Sequence, residues 1–155
     1  MTLAFLSRTM GPYTVSDDPA RLDLHAMHAY LRGAYWSQDI PFEIVQRAAQ
    51  GSLCVGCYDA AGAQVGLARF ISDYATFCYV CDVYVLEGHR GRGLARAMLA
   101  MGVAHPRLAG LRRWSLVTRD AHQLYRSFGF TPLAYSERHM ERTRPDIYQP
   151  GKDAV

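Results

Sequence analysis

At 155 residues, half of them apolar and a fifth charged, the chain has the profile of one globular domain spanning 1–155. It is large enough to build a core without a metal or disulfide scaffold. The net charge of +3 is mild and suits an anionic small ligand at least as well as nucleic acid, so no nucleic-acid partner is expected. No apolar run approaches the ~20 residues needed to span a bilayer, and no membrane partner is expected either.

The opening MTLAFLSRTMGPY holds a short apolar patch without a small-residue cleavage site. It is read as no signal peptide, which leads to an expected cytoplasmic location, with residues 1–12 a flexible tail. YTVSDD, residues 13–18, reads as a short strand ending in turn residues. Asp18-Pro19 is a helix start signal, and Leu22, His25, Ala26, Ala29 and Tyr30 follow at helical spacing. Pro41 restarts a second helix, FEIVQRAAQ, which stops at Gly51. SLCVGCYD and QVGLARFISD are two strands joined by the hairpin-sized AAGA, and TFCYVCDVYVLE is a long apolar run with the character of a central strand.

A basic, glycine-spotted turn, EGHRGRGLA, then opens a helix with Leu94, Ala97, Met98, Met101 and Gly102 on one face, ended by His105-Pro106. RRWSLVT is a further strand. Asp120, with Gln123 three residues on, has the form of an N-cap, and the helix it starts has Leu124 and Phe128 as its buried stripe and Gly129 at its end. TPLAY and RHMERT are expected as final strands. The order β-α-α-β-β-β-α-β-α-β-β predicts an α+β fold around one mostly antiparallel sheet, with a parallel βαβ step in the middle.

Cys54, Cys57, Cys78 and Cys81 form a CxxC…CxxC arrangement with the outline of a zinc site. Both pairs lie in alternating runs, where residues three apart point to opposite faces of a strand and the sulfurs diverge. Small buried hydrophobes are the expected role, and no metal site is expected. His25 and His28 lie one helical turn apart without a third ligand and are read as solvated helix residues.

The glycine turn carries the functional signal. Where a strand turns into a helix, the first backbone N–H groups lack internal partners and carry the positive end of the helix dipole, so they bind anions. Gly91 and Gly93 allow unusual backbone angles and close approach, while Arg90 and Arg92 add charge. The stretch therefore reads as a diphosphate cradle. A P-loop is excluded because no lysine precedes a serine or threonine. The dinucleotide fingerprint fails at Arg96, a bulky residue where close packing needs a small one.

Arg90-Gly91-Arg92-Gly93-Leu94-Ala95 fits the pattern R/Q-x-x-G-x-G/A, and with it the chain resembles the GNAT superfamily of N-acetyltransferases. AHQLYRSFGF is similar to a second signature of that family, and the resemblance covers about residues 13–143. It implies a sheet with helices on both faces and acetyl-CoA as co-substrate, its pyrophosphate on the N–H groups of Arg90 to Ala95 (Arg90, Gly91, Arg92, Gly93, Leu94, Ala95). It also implies pantetheine beside the main chain of Tyr84 and Val85 and near Thr118, where the family often has asparagine. Tyr125 matches the tyrosine that faces the sulfur and is the expected general acid.

Asp82, an acid inside an apolar strand, is the candidate base or amine anchor, with a structural partnership to an arginine or backbone group as the other reading. The neighbouring Cys81 stands where some relatives carry glutamate. The acceptor, a small-molecule amine or peptide, is expected among Tyr35, Trp36, Tyr74 and Phe77, with Asp39 and Asp73 supplying negative charge. The resemblance also suggests a homodimer. A non-catalytic acyl-CoA sensor is the rival of another class.

Overall fold

The computed structural model describes residues 4–151. Six strands form one sheet in chain order: β1 (Ser7–Met10), β2 (Tyr13–Ser16), β3 (Leu53–Tyr58), β4 (Gln64–Ser72), β5 (Phe77–Val85) and β6 (Arg113–Leu116). Neighbours run antiparallel except β5 and β6, which are parallel. A parallel pair needs a long crossover, and α3 (Leu94–Val103) supplies it. α1 (Leu24–Leu31) and α2 (Phe42–Gln50) lie between β2 and β3, and α4 (His122–Arg126) follows β6.

The sheet is covered on both faces. Against one face pack Leu94, Ala97, Met98 and Leu99 of α3 and Tyr125 of α4, with Val55, Phe70, Cys78 and Val80 from the strands. Against the other pack Met27 and Leu31 of α1 and Val45 and Ala49 of α2, with Cys54, Leu67 and Tyr84. Each fully buried aliphatic or aromatic side chain contributes roughly 1.5–3 kcal/mol by leaving water. Cys54 and Cys57 thus belong to clusters on opposite faces, as strand alternation predicts.

Local chemistry explains the helix ends. Asp23 caps α1 by accepting from the Ala26 N–H at 2.9 Å. α1 therefore begins five residues after Asp18-Pro19, which instead opens a short 3-10 turn over Pro19–Arg21. His25 stacks on Phe42 at 4.6 Å, and His28 meets the edge of the same ring, so the two histidines join α1 to α2 rather than simply facing solvent. At α4, Asp120 does not cap; Ala121 occupies that place and the Thr118 Oγ1 accepts its N–H at 3.1 Å.

Two expectations about the chain's ends are corrected. Residues 7–10, expected in a tail, form β1 and pair with β2 in a hairpin. TPLAY and RHMERT, expected as strands, are not strands; residues 131–145 are exposed throughout, with only a 3-10 turn at Ser136–Arg138. Pro132 lacks an N–H for a ladder, and Met140 is the one apolar residue of RHMERT, so neither segment has the alternating face that would hold it on a sheet. The sheet ends at β6.

Candidate active site

β5 is bent where the site lies. From Cys78 to Cys81 it pairs in one register with β4, and from Tyr84 onward in a register shifted by one, so Asp82 and Val83 face the single residue Ala68. This is a β-bulge, and Asp82 sits in it with φ +50°. β6 pairs with β5 only through Phe77–Val80. Beyond that point the two parallel strands part, and a cleft opens between the bulged half of β5 and the end of β6.

Main-chain direction follows from the register. The Leu86 N–H donates to the Val65 carbonyl at 2.8 Å, so Leu86 and Tyr84 direct their polar groups to β4 and Val85 directs its groups away, into the cleft. Of the two expected pantetheine positions, Val85 therefore turns its N–H toward the cleft, while its carbonyl is taken by Arg90 Nε. Tyr84 supplies the wall behind it, stacked on Tyr30 at 3.8 Å.

The turn after β5 is held from both sides. Arg90 Nε donates to the Val85 carbonyl at 2.9 Å, and the Tyr13 hydroxyl is hydrogen-bonded to His89 Nδ1 at 2.8 Å. Gly91 and Gly93 take φ of +75° and +76°, and at both a Cβ would meet open space. A side chain there would project into that open space, on a backbone that L-residues adopt at a cost of roughly 1–2 kcal/mol. The N–H groups of Gly91, Arg92, Gly93, Leu94, Ala95 and Arg96 donate to no acceptor among the described residues, and α3 has no side-chain cap. Six free donors at the positive end of a ten-residue helix fit a diphosphate. Arg90 spends its Nε on fixing this turn; Arg92 is exposed beside it.

Tyr125 comes from α4 and lines a cavity of about 330 Å³ with Thr118, His122, Arg126 and Phe130. Its hydroxyl makes no hydrogen bond among the described residues. Burial pushes the phenol up to about 12, with the Cys81 thiol and the Tyr35 hydroxyl adding to the effect. It is a neutral donor at physiological pH. Arg96 Nη1 donates to Ser127 Oγ at 2.7 Å and its guanidinium lies over Phe128, which ties the start of α3, and so the cradle, to the helix that carries Tyr125.

Asp82 is fully engaged. Oδ2 accepts from Arg69 Nε at 2.8 Å and Oδ1 accepts from Trp36 Nε1 at 2.8 Å, while Arg69 Nη1 donates to Ser52 Oγ at 2.9 Å. Both charged side chains are largely buried, at 15% and 11% exposure. Trp36 and Tyr35 belong to the α1–α2 connection, and Arg119, from the loop after β6, lies 4.1 Å over the Tyr35 ring. The Tyr35–Arg119 contact spans the cleft from one wall to the other.

Asp73 and Tyr74 are not part of this assembly. With Phe77 they sit at the opposite end of β5, separated from the cradle by about 30 Å of strand. Asp73 organises its own turn, accepting from the N–H groups of Ala75, Thr76 and Phe77 and from Thr76 Oγ1. The Thr76 hydroxyl and these N–H groups hold its carboxyl well below the usual range. Tyr74 lies under the Arg107 guanidinium at 4.1 Å. Arg69, Arg96 and Arg119 are the site residues that sequence reasoning missed. Only Arg69, a lone cation in an apolar strand opposite an equally isolated Asp82, carried a signal that could have revealed it.

Comparison with known proteins places the chain in a family. Residues 49–132 match the model of the acetyltransferase (GNAT) domain. A candidate acetyltransferase of Gibberella zeae is 35% identical, over 76% of this chain and 77% of that protein. The crystal structure of a candidate GNAT-family acetyltransferase from Xanthomonas campestris pv. campestris is 48% identical, covers 91% of this chain and 99% of that one, and superposes with a TM-score of 0.87. A Staphylococcus aureus structure at 20% identity, covering 85% of this chain and 99% of its own, shares the fold with a TM-score of 0.69. The chain belongs to the GNAT family of acetyltransferases.

Proposed function

We propose that the chain transfers the acetyl group of acetyl-CoA to a primary amine of a small molecule or peptide by direct attack. The observation that carries the reading is the row of unpartnered N–H groups from Gly91 to Arg96, in the turn and helix start that directly follow Val85 and β5. Such a row fits the diphosphate, and the Val85 main chain fits the amide-rich arm behind it, as a strand fits a free edge.

In the reaction the amine nitrogen attacks the thioester carbonyl, the C–S bond breaks, and the thiolate needs a proton. Tyr125 stands as its donor. With the phenol near 12 and a thiol near ~8.5, full transfer in the ground state is uphill by roughly 5 kcal/mol. A hydrogen bond from Tyr125 to sulfur as charge develops is therefore the effective contribution, and solvent completes the protonation. With both oxygens engaged, Asp82 acts by holding the bulge and orienting Trp36. The amine is then taken as the free base, held against Tyr35 and Trp36 by apolar contact, and the proton its nitrogen loses after attack passes to solvent.

Titration calorimetry with coenzyme A tests the cradle: the wild-type chain binds, and Gly93→Asp, confirmed folded by circular dichroism, loses at least tenfold in affinity. Thiol release measured across polyamines, aromatic amines, amino acids and peptide N-termini tests the transfer. Absence of coenzyme A binding, or binding untouched by the substitution, overturns the cradle. Binding without turnover on any amine overturns the enzyme in favour of a sensor.

A further inference from the structure

The charges on the walls of the cleft do not balance. Asp82 is answered by Arg69 and Trp36, and Asp73 lies at the far end of β5. Asp39 sits where the α1–α2 connection folds back on α1, its N–H on the Arg32 carbonyl at 2.9 Å, so an acid and an arginine share that corner. The loop after β6 contributes Arg119, whose guanidinium lies 4.1 Å over the Tyr35 ring. Stacking occupies the flat face of a guanidinium and leaves its edge of N–H donors free. Among the described residues the Arg119 side chain makes no hydrogen bond, and its one ion pair, Nη2 to Asp120 Oδ2 at 3.5 Å, is exposed on both sides and contributes little.

The Tyr125 cavity has the same bias. Arg126 and His122 line it and no carboxylate does, and the Arg126 side chain has no hydrogen bond or ion pair among the described residues. The Tyr35 hydroxyl is near enough to the Tyr125 phenol to help raise it, so Arg119 covers the wall that stands beside Tyr125. We propose that the acceptor is a small amine that also carries a carboxylate, an amino-acid-like molecule whose carboxylate takes the N–H edge of Arg119 while its carbon frame lies on Tyr35 and Trp36. This narrows the acetyl-transfer reading and rests on it.

A guanidinium fork matches a carboxylate in shape as well as in charge, and two parallel N–H···O bonds fix the direction of approach. A polyamine meets the opposite: its ammonium groups stand beside Arg119 and Arg126, with Asp82 already taken. Trp36 fits the same occupant. Its Nε1 is engaged by Asp82, so its ring, edge-on to Tyr35 at 5.1 Å, offers apolar surface to the carbon frame rather than a donor.

Thiol release from acetyl-CoA with γ-aminobutyrate, butylamine and putrescine tests this, since the three differ chiefly in the group at the far end. Phenylalanine against phenethylamine repeats the comparison with the carboxylate next to the amine. The wild-type chain is expected to favour the carboxylate-bearing member in kcat/KM by at least tenfold in at least one series. Arg119→Gln is expected to lose that ratio, and Arg119→Glu to turn it toward putrescine, with circular dichroism confirming that both variants are folded. Each ratio is taken within one protein, so a general loss of activity cancels. Turnover without a preference for the carboxylate in either series, or a preference that Arg119→Gln leaves in place, overturns the assignment and leaves acetyl transfer standing. Absence of turnover with every amine overturns both.

Discussion

The Arg69–Asp82 pair can be tested by a double-mutant cycle. Arg69→Met keeps the apolar stem but removes the Nε bond to Asp82 and the Nη1 bond to Ser52, and it leaves a carboxylate at 11% exposure with Trp36 as its remaining partner. Stranding a buried charge costs about 3–5 kcal/mol, and slight solvent access places this site near 3. Asp82→Asn keeps the acceptor for Trp36 and tolerates the φ of +50°, so it reports on charge alone, at about 2–3 kcal/mol for the stranded guanidinium. The double variant strands nothing. It should lose about 2 kcal/mol against wild type, so the coupling energy is about 3–4 kcal/mol. Urea unfolding of the four proteins measures it. If the double variant equals the sum of the singles within about 0.5 kcal/mol, the pair does not act as a unit and the reasoning fails.

The same four proteins separate positioning from base catalysis. If Asp82 works by holding the bulge and Trp36, both single variants lower kcat and the double variant recovers part of it along with stability. If Asp82 takes a proton, every protein lacking it stays slow whatever its stability.

Tyr125→Phe is expected to lower kcat by roughly 10²–10⁴ while calorimetric affinity for coenzyme A changes less than threefold; unchanged turnover would retire the donor role. With a free-base acceptor of pKa ~10, kcat/KM should rise about tenfold per pH unit from 7 toward 9.5. No downturn comes from Tyr125, which burial holds near 12, and a plateau near neutrality would point to an enzymic base. Gly102→Ala places a Cβ 2.0 Å from the Phe70 ring, where α3 crosses β4, and should cost on the order of 1–3 kcal/mol in urea melts even though alanine favours helices. Burial pushes Cys57 and Cys78 up to about 11 and Tyr58 and Tyr125 up to about 12. The folded state therefore keeps protons that the unfolded chain releases, and this stability is complete below pH ~9 and lost as pH rises toward 12. Thermal melts should fall steadily across that window, and a flat Tm from pH 8 to 11 would contradict it.

Most of the sheet was legible because its strands carry their reasons locally. LCVGCY and FCYVCDVYV are apolar on both faces, and only a strand covered on both sides tolerates that. The cradle was legible for a related reason: two glycines and two arginines at a strand–helix junction have few structural uses, and the positive φ of Gly91 and Gly93 is a demand of the backbone itself. The ends were not. SRTM has one apolar residue in four, and its pairing with β2 depends on a neighbour rather than on its own pattern. TPLAY and RHMERT, expected as strands, have no alternating face of their own, and whether such a segment becomes a strand depends on an edge being offered to it.

The acceptor side shows the limit most sharply. Tyr35, Trp36, Tyr74 and Asp73 are alike in sequence, aromatic or acidic residues in connecting loops, yet β5 carries one pair to the cleft and the other to the opposite end of the sheet. The deciding element is the bulge at Asp82, which shifts the register by one, directs Val85 into the cleft and brings a carboxylate to Trp36 and Arg69. A bulge is one extra residue in a ladder and depends on two strands at once, so neither strand's periodicity reveals it. The residue that marks it does so only by incongruity: a carboxylate in an apolar strand is either stranded at a cost of several kcal/mol or answered by a cation, and the cation facing it across the sheet is Arg69, thirteen positions earlier.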